Sequence, residues 1–103
     1  MYVNELTTSY CRIVLRQPTR IHQATYGPGS RWHFAWHRET RTWGCGYDPQ
    51  QAMSCLAADM ADAWQRVSVD GHGNEGVGLG RGLSHAVLKT ELERVVERVE
   101  ETG

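Results

Sequence analysis

The stretch RWHFAWHRETRTWGCGYDP, residues 31–49, decides the fold. Its two arms carry an apolar side chain at every second position, a period that is typical of β-strands with one buried face. The apolar side chains on that face are Trp32, Phe34, Trp36, Trp43, Cys45 and Tyr47. Folding the stretch about residues 38–41 places Trp36 opposite Trp43, and a slip by one residue would move every ring to the other face. The stretch therefore predicts an antiparallel β-hairpin with a single register.

The opposite face of this hairpin carries Gly44 and Gly46, and it is smooth because neither residue has a side chain. A face of this kind admits another backbone, or a binding partner, at close range.

A predicted helix follows the hairpin directly. Asp48 is a good N-cap, Pro49 suits the first helical position, and Gln51 completes a capping box. The apolar side chains that recur at helical spacing over residues 48–67 are Ala52, Met53, Leu56, Met60, Trp64 and Val67. We expect this helix to cover the aromatic face of the hairpin. The indoles are then core side chains and do not form a platform on which nucleobases stack.

The rest of the chain predicts a further strand over residues 8–17, a weaker one over residues 20–26, and a second helix over residues 84–101. Ser84 is the cap of that helix. Its apolar seam repeats at intervals of four, three and four residues, at Leu88, Leu92, Val95 and Val99. The seam is self-complementary, which is compatible with a homodimer through this helix.

Residues 68–83 join the two helices and are rich in glycine. They contain a Gly-x-Gly-x-x-Gly motif, but a dinucleotide-binding loop follows a strand, whereas this motif follows a helix. We interpret the segment as a linker. The predicted fold class is α+β, with one domain over residues 1–103. Residues 1–47 form an antiparallel sheet of three to four strands, and two helices pack on one face of it.

Charge is divided unevenly between the halves of the chain. The net charge is −1, yet residues 1–47 carry +4 and residues 48–103 carry −5. Such asymmetry indicates a surface for a polyanion or for a basic partner. The candidate partner-binding residues are Arg31, Arg38, Arg41, Asp59, Asp62, Glu91, Glu93 and Glu97.

The pattern predicts no catalytic, cofactor-binding or metal-binding residue. His33 and His37 would lie about 13 Å apart on a strand, too far to share one ion. Three widely separated cysteines are typical of a reducing cytoplasm, and neither a membrane span nor a signal peptide is predicted. A small cysteine-dependent enzyme using Cys45 or Cys55 is kept as a second alternative.

Residues 32–64 resemble the ββα module of HicB-like antitoxins. The residues that carry the resemblance are Gly44, Gly46, Tyr47, Asp48, Pro49 and Ala52. In that family the module binds protein and caps a small RNA-cleaving toxin, so the resemblance implies protein binding. The helical tail departs from the family because it has no ribbon-helix-helix or helix-turn-helix segment. Short single-domain chains without a catalytic motif also resemble phage or mobile-element inhibitors, including anti-CRISPR proteins.

The sequence thus predicts a cytoplasmic protein that is not an enzyme and uses no cofactor. Its leading predicted function is to bind a protein or ribonucleoprotein partner and to inhibit or regulate it by covering a surface. Charged residues at the rim would then set the encounter rate and the choice of partner. The alternative is a nucleic-acid-binding regulator that uses the arginine-bearing sheet face, with an affinity that falls steeply with salt.

Overall fold

A computed structural model describes residues 1–68 and 81–101. The elements in this part of the chain are β1 (Tyr2–Thr7), β2 (Cys11–Arg20), β3 (His22–Thr25), β4 (His33–His37), β5 (Thr42–Gly46), α1 (Pro49–Ser68), α2 (His85–Val95) and β6 (Val96–Glu101). The strands form two three-stranded antiparallel sheets, sheet A in the order β1-β2-β6 and sheet B in the order β3-β4-β5. The α+β class is confirmed. The prediction of one sheet with both helices on one face is wrong.

The hairpin formed by β4 and β5 has the predicted register. Trp36 pairs with Trp43, Phe34 with Cys45, and Ala35 with Gly44. The helix start is also as predicted, because the Gln51 N–H donates a 2.7 Å hydrogen bond to Asp48 Oδ1. Short-range side-chain patterns therefore determine both the hairpin and the beginning of α1.

The face that α1 covers is the opposite of the predicted one. A Cβ atom added to Gly44 would overlap the backbone nitrogen of Leu56 and lie 2.6 Å from the Ala52 carbonyl oxygen. The helix backbone therefore rests directly on the glycine face, where Ala35 is fully buried. Glycine and alanine permit this close approach, whereas indole rings would hold the helix several ångströms further away.

The helix predicted over residues 84–101 ends at Val95, and the residues after it form β6. A register shift in the pairing of β6 with β2 puts Val96 and Val99 opposite two β2 residues of the same face, Leu15 and Ile13. The extra residue of the bulge therefore gives β6 an apolar spacing of three. That spacing is also the spacing of a helical seam, which is why the sequence pattern predicts a longer helix.

Helix α1 joins the two sheets through two groups of buried side chains. Its N-terminal half packs on sheet B, with Ala52 and Leu56 against Ile21 and Ala35. Its C-terminal half packs on sheet A and on α2, in a larger cluster that includes Met60, Val67, Ile13, Leu88, Leu92 and Val96. Most of the predicted linker, residues 69–80, lies outside the described residues. Neither of the two described helices covers the outer face of sheet B, where Trp36 and Trp43 are exposed.

Candidate binding surface on sheet B

The outer face of sheet B carries rings in three rows that run across the strands. We call this surface the aromatic face, and its rings belong to His22, Tyr26, Trp32, Phe34, Trp36, Trp43 and Tyr47. The first row is His22, Trp36 and Trp43, in which the rings of His22 and Trp36 are stacked with centroids 5.4 Å apart. The last row contains an edge-to-face pair, Trp32 and Tyr47, at 4.8 Å. Successive rows are separated by about 6.6 Å, two residues along a strand.

Several of these rings are open to solvent. Trp43 is 55% exposed, Trp36 is 37% exposed and Tyr47 is 69% exposed. Large exposed aromatic side chains that adjoin one another are unusual on the surface of a protein without a partner, and they mark binding surfaces. The prediction that the indoles form core is wrong for Trp36 and Trp43. The helix that would have covered them lies on the glycine face instead.

Three exposed arginines lie close in sequence to residues of the aromatic face. Arg31 precedes Trp32, and Arg38 follows β4 directly. Arg20 lies two residues before His22. All three side chains are exposed, and none makes an ion pair with another described residue. Residues 20–47 carry a net charge of +3 with histidine neutral, so the surface is suited to an anion.

Side chains of α1 accept hydrogen bonds from backbone N–H groups at the free edge of β5 and directly after it. The Trp43 N–H donates to Asp59 Oδ2 at 2.9 Å, and the Tyr47 N–H donates to Gln51 Oε1 at 2.6 Å. Arg81 binds both carboxylate oxygens of Asp59, at 2.7 and 2.8 Å. These bonds hold the Trp43 backbone in position and satisfy two donors of an edge strand.

The predicted partner-binding residues are distributed over several environments. Arg31 and Arg38 are exposed and flank β4 in the sequence, Arg31 two residues before it and Arg38 directly after it. Arg41, in the hairpin turn, has a φ of +53° and donates to the carbonyl oxygens of Arg81 and Gly82. Asp59 and Arg41 are therefore brought together through Arg81, where they stabilise the fold.

The other predicted acidic residues belong to the helices and to sheet A. Asp62 pairs with Arg66, Glu91 with Arg94, and Glu97 with Arg98. Glu93 is exposed, and its backbone carbonyl accepts a hydrogen bond from Arg16 Nε. None of these four acidic residues lies in sheet B.

A buried polar network supports the aromatic face from the hairpin turn. The His37 ring is 1% exposed, and its Nδ1 accepts from the Thr40 N–H and lies 2.6 Å from Thr40 Oγ1. Thr40 Oγ1 is in turn 2.8 Å from Thr42 Oγ1. Because Nδ1 accepts from a backbone donor, the ring proton is assigned to Nε2, which lies 3.2 Å from a Glu39 oxygen. The network is complete only when His37 is neutral.

Acid is expected to destabilise the protein through His37. Burial lowers the pKa of His37 below its ordinary value of 6.5, and nearby His22 also lowers it, although Glu39 and Glu91 oppose the shift. The unfolded chain therefore binds more protons just below pH 6.5, so stability falls as the pH decreases through that window. We expect the unfolding midpoint in urea to decrease between about pH 7.5 and about pH 5.5. In His37→Gln this part of the pH dependence should disappear.

The matched control for this measurement is His33→Gln, the same chemical change four positions earlier in β4. That variant should keep the pH dependence of the wild-type protein. Parallel pH profiles for the wild-type protein and His37→Gln would show that the network does not sense the protonation of His37.

Other features of the described residues that bear on function are their metal-ligating side chains, the apolarity of their helices and the environments of their cysteines. Residues 1–68 and 81–101 contain no group of three or more histidine, cysteine, aspartate or glutamate residues arranged to hold a metal ion. Within the same ranges, no helix is both long enough and apolar enough to cross a membrane. Cys11 is buried, Cys45 is half-buried and Cys55 is exposed.

Comparison with protein-family models finds no match, and comparisons with curated proteins and with solved structures find none either. The resemblance of residues 32–64 to HicB-like antitoxins, and the likeness to anti-CRISPR proteins, therefore stay predictions.

Proposed function

We propose that the aromatic face of sheet B binds single-stranded nucleic acid. The observation that carries the proposal is the cross-strand pair of Trp36 and Trp43, which is exposed on a sheet whose other face packs against α1. Proteins that bind single strands combine rings on which bases stack with positive charge that follows the phosphates. The aromatic face supplies the rings, and the exposed arginines supply the charge.

The geometry suits an unpaired strand better than a duplex. The rings project from three neighbouring strands, and a base can stack on their exposed parts only when it is free of its complement. The hydrogen-bonded edge of β5 and the His37 network hold the sheet rigid, so the rings are placed before the ligand arrives. Binding by stacking and by ion pairing needs no reacting group, in keeping with the prediction that the chain is not an enzyme.

A protein or ribonucleoprotein partner is the second candidate. Exposed Trp, Tyr and Arg side chains are also the residues that contribute most at protein–protein interfaces. If the aromatic face covers a surface of a partner, the chain would act as an inhibitor of the anti-CRISPR or antitoxin type that the sequence predicts. The exposed arginines favour an anionic partner, and the phosphates of a nucleic acid supply negative charge at every nucleotide.

A salt series tests the proposal. Fluorescence anisotropy with a labelled oligonucleotide of about 12 nucleotides should show binding at low salt. If three arginines contact phosphates, a tenfold rise in salt should weaken binding by about 100-fold, at about 0.7 in log–log slope per contact. Arg31→Ala and Arg38→Ala should each reduce the slope by about 0.7.

A duplex of the same sequence is the control ligand and should bind more weakly than the single strand. Absence of binding at low salt, or an affinity that does not change with salt, would contradict the proposal. Retention of a protein from the host by the wild-type chain, with loss in Trp43→Ala, would then favour the second candidate.

A further inference from the structure

A groove of about 540 Å³ lies beside the aromatic face, where the edge of β5 meets α1. Trp32 and Tyr47 of the aromatic face line one side of it, and Tyr10 lines it from the connection between β1 and β2. Ser54 and Cys55 of α1 also line the groove. The groove is therefore continuous with the aromatic face.

The residues that line the groove are suited to binding an uncharged, planar ligand. None of the described residues that line it carries a charge, and three of them are aromatic. The polar groups among them are hydroxyls, including that of Ser54, and an amide. Aromatic walls and neutral hydrogen-bonding groups recognise a nucleobase, whereas a phosphate would need a cation.

The structure disfavours an extended peptide as the occupant. A peptide that adds to a sheet edge needs the free N–H groups of that edge. Two of the donors that such a peptide would use, the N–H of Trp43 in β5 and that of Tyr47 directly after β5, are already bonded to Asp59 and Gln51. An occupant held by stacking and by contacts to side chains does not need those donors.

We propose that this groove takes one nucleobase, turned out of the single strand that the aromatic face binds. The inference rests on the proposed function. Trp32 and Tyr47 belong both to the last row of the aromatic face and to the groove, so a bound strand reaches the groove without leaving the protein surface. Tyr10 lines the groove but does not belong to the aromatic face. In this assignment it therefore contacts the base in the groove and no other part of the bound strand.

Thiol protection tests this assignment because Cys55 lies in the groove and away from the aromatic face. The rate of alkylation of Cys55 by iodoacetamide is measured by peptide mass spectrometry, with and without an oligonucleotide of about 12 nucleotides. With the oligonucleotide at about ten times its dissociation constant, the rate should fall about tenfold, as the free fraction of the protein does. Tyr10→Ala should abolish most of this protection and weaken binding by roughly fivefold or more.

The matched control is Tyr2→Ala, which removes an exposed tyrosine that does not line the groove. Its protection and affinity should equal those of the wild-type protein. Binding by anisotropy without protection of Cys55 would overturn the groove assignment and leave the proposed function standing. Absence of binding by anisotropy would overturn both. Protection by a protein partner, with none by the oligonucleotide, would assign the groove to a protein segment instead.

Discussion

Replacing Gly44 with alanine is expected to lower the free energy of unfolding by about 3 kcal/mol or more. The added methyl group would overlap the Leu56 nitrogen and lie 2.6 Å from both the Ala52 oxygen and the Cys55 carbonyl carbon. These are backbone atoms of α1, which cannot rotate away as a side chain does, so the whole helix would have to shift. A loss of this size is a large fraction of the total stability of a small domain. Urea denaturation followed by circular dichroism measures it.

Two other glycines provide graded controls for this prediction. A Cβ on Gly27 would meet no heavy atom within 4 Å, so Gly27→Ala should change stability by less than about 0.5 kcal/mol. A Cβ on Gly46 would meet the Gln51 side chain at 2.7 Å. That side chain can move, but it would give up its bond to the Tyr47 N–H, so an intermediate loss is expected. Equal midpoints for the Gly44 and Gly27 variants would show that α1 does not rest on the glycine face.

Replacing Trp36 or Trp43 with alanine is expected to weaken the binding of single-stranded nucleic acid by roughly 5- to 150-fold. The range follows from the loss of one base–ring stack, worth about 1–3 kcal/mol. Both rings are substantially exposed, so their removal should cost the fold much less than a core truncation would. Anisotropy titrations at constant low salt measure the affinity, and urea denaturation of the same samples measures stability.

The comparison variants separate stacking from a general loss of structure. Trp36→Phe and Trp43→Phe keep an aromatic ring and should retain part of the affinity. Trp64→Phe changes a tryptophan that packs against the core of sheet A, and it should bind like the wild-type protein. Unchanged affinity in the alanine variants of Trp36 and Trp43 would exclude the aromatic face as the binding surface.

The candidate surface was only partly predictable from the sequence. The alternation of apolar side chains predicts that the rings of residues 32–47 lie on one face of the hairpin. The structure confirms the predicted pairing of the two strands. Alternation alone does not say which face of the hairpin is covered, although the smooth face of Gly44 and Gly46 was predicted to admit another backbone, and the α1 backbone lies there. Burying the rings is the more favourable choice if apolar area alone is considered. It fails here because Gly44 and Ala35 offer α1 a closer fit.

The role of Asp59 could not be predicted from the sequence either. The sequence predicts that Asp59 lies on the exposed side of a helix, where it would contact a partner. The structure instead places its carboxylate between the Trp43 N–H and the Arg81 guanidinium, two groups 16 and 22 residues away along the chain. Contacts of that separation depend on how α1 lies on β5, and no local pattern specifies this.

By itself the sequence determined the hairpin register, the starts of α1 and α2, and the positive charge around β4. All of these follow from side-chain alternation, capping and composition within about ten residues. The tertiary structure alone decided that α1 rests on the glycine face, that Val96 begins a strand of sheet A, and that the rings of sheet B face solvent. These outcomes depend on shape complementarity and strand pairing between distant segments, which are set only when the segments meet.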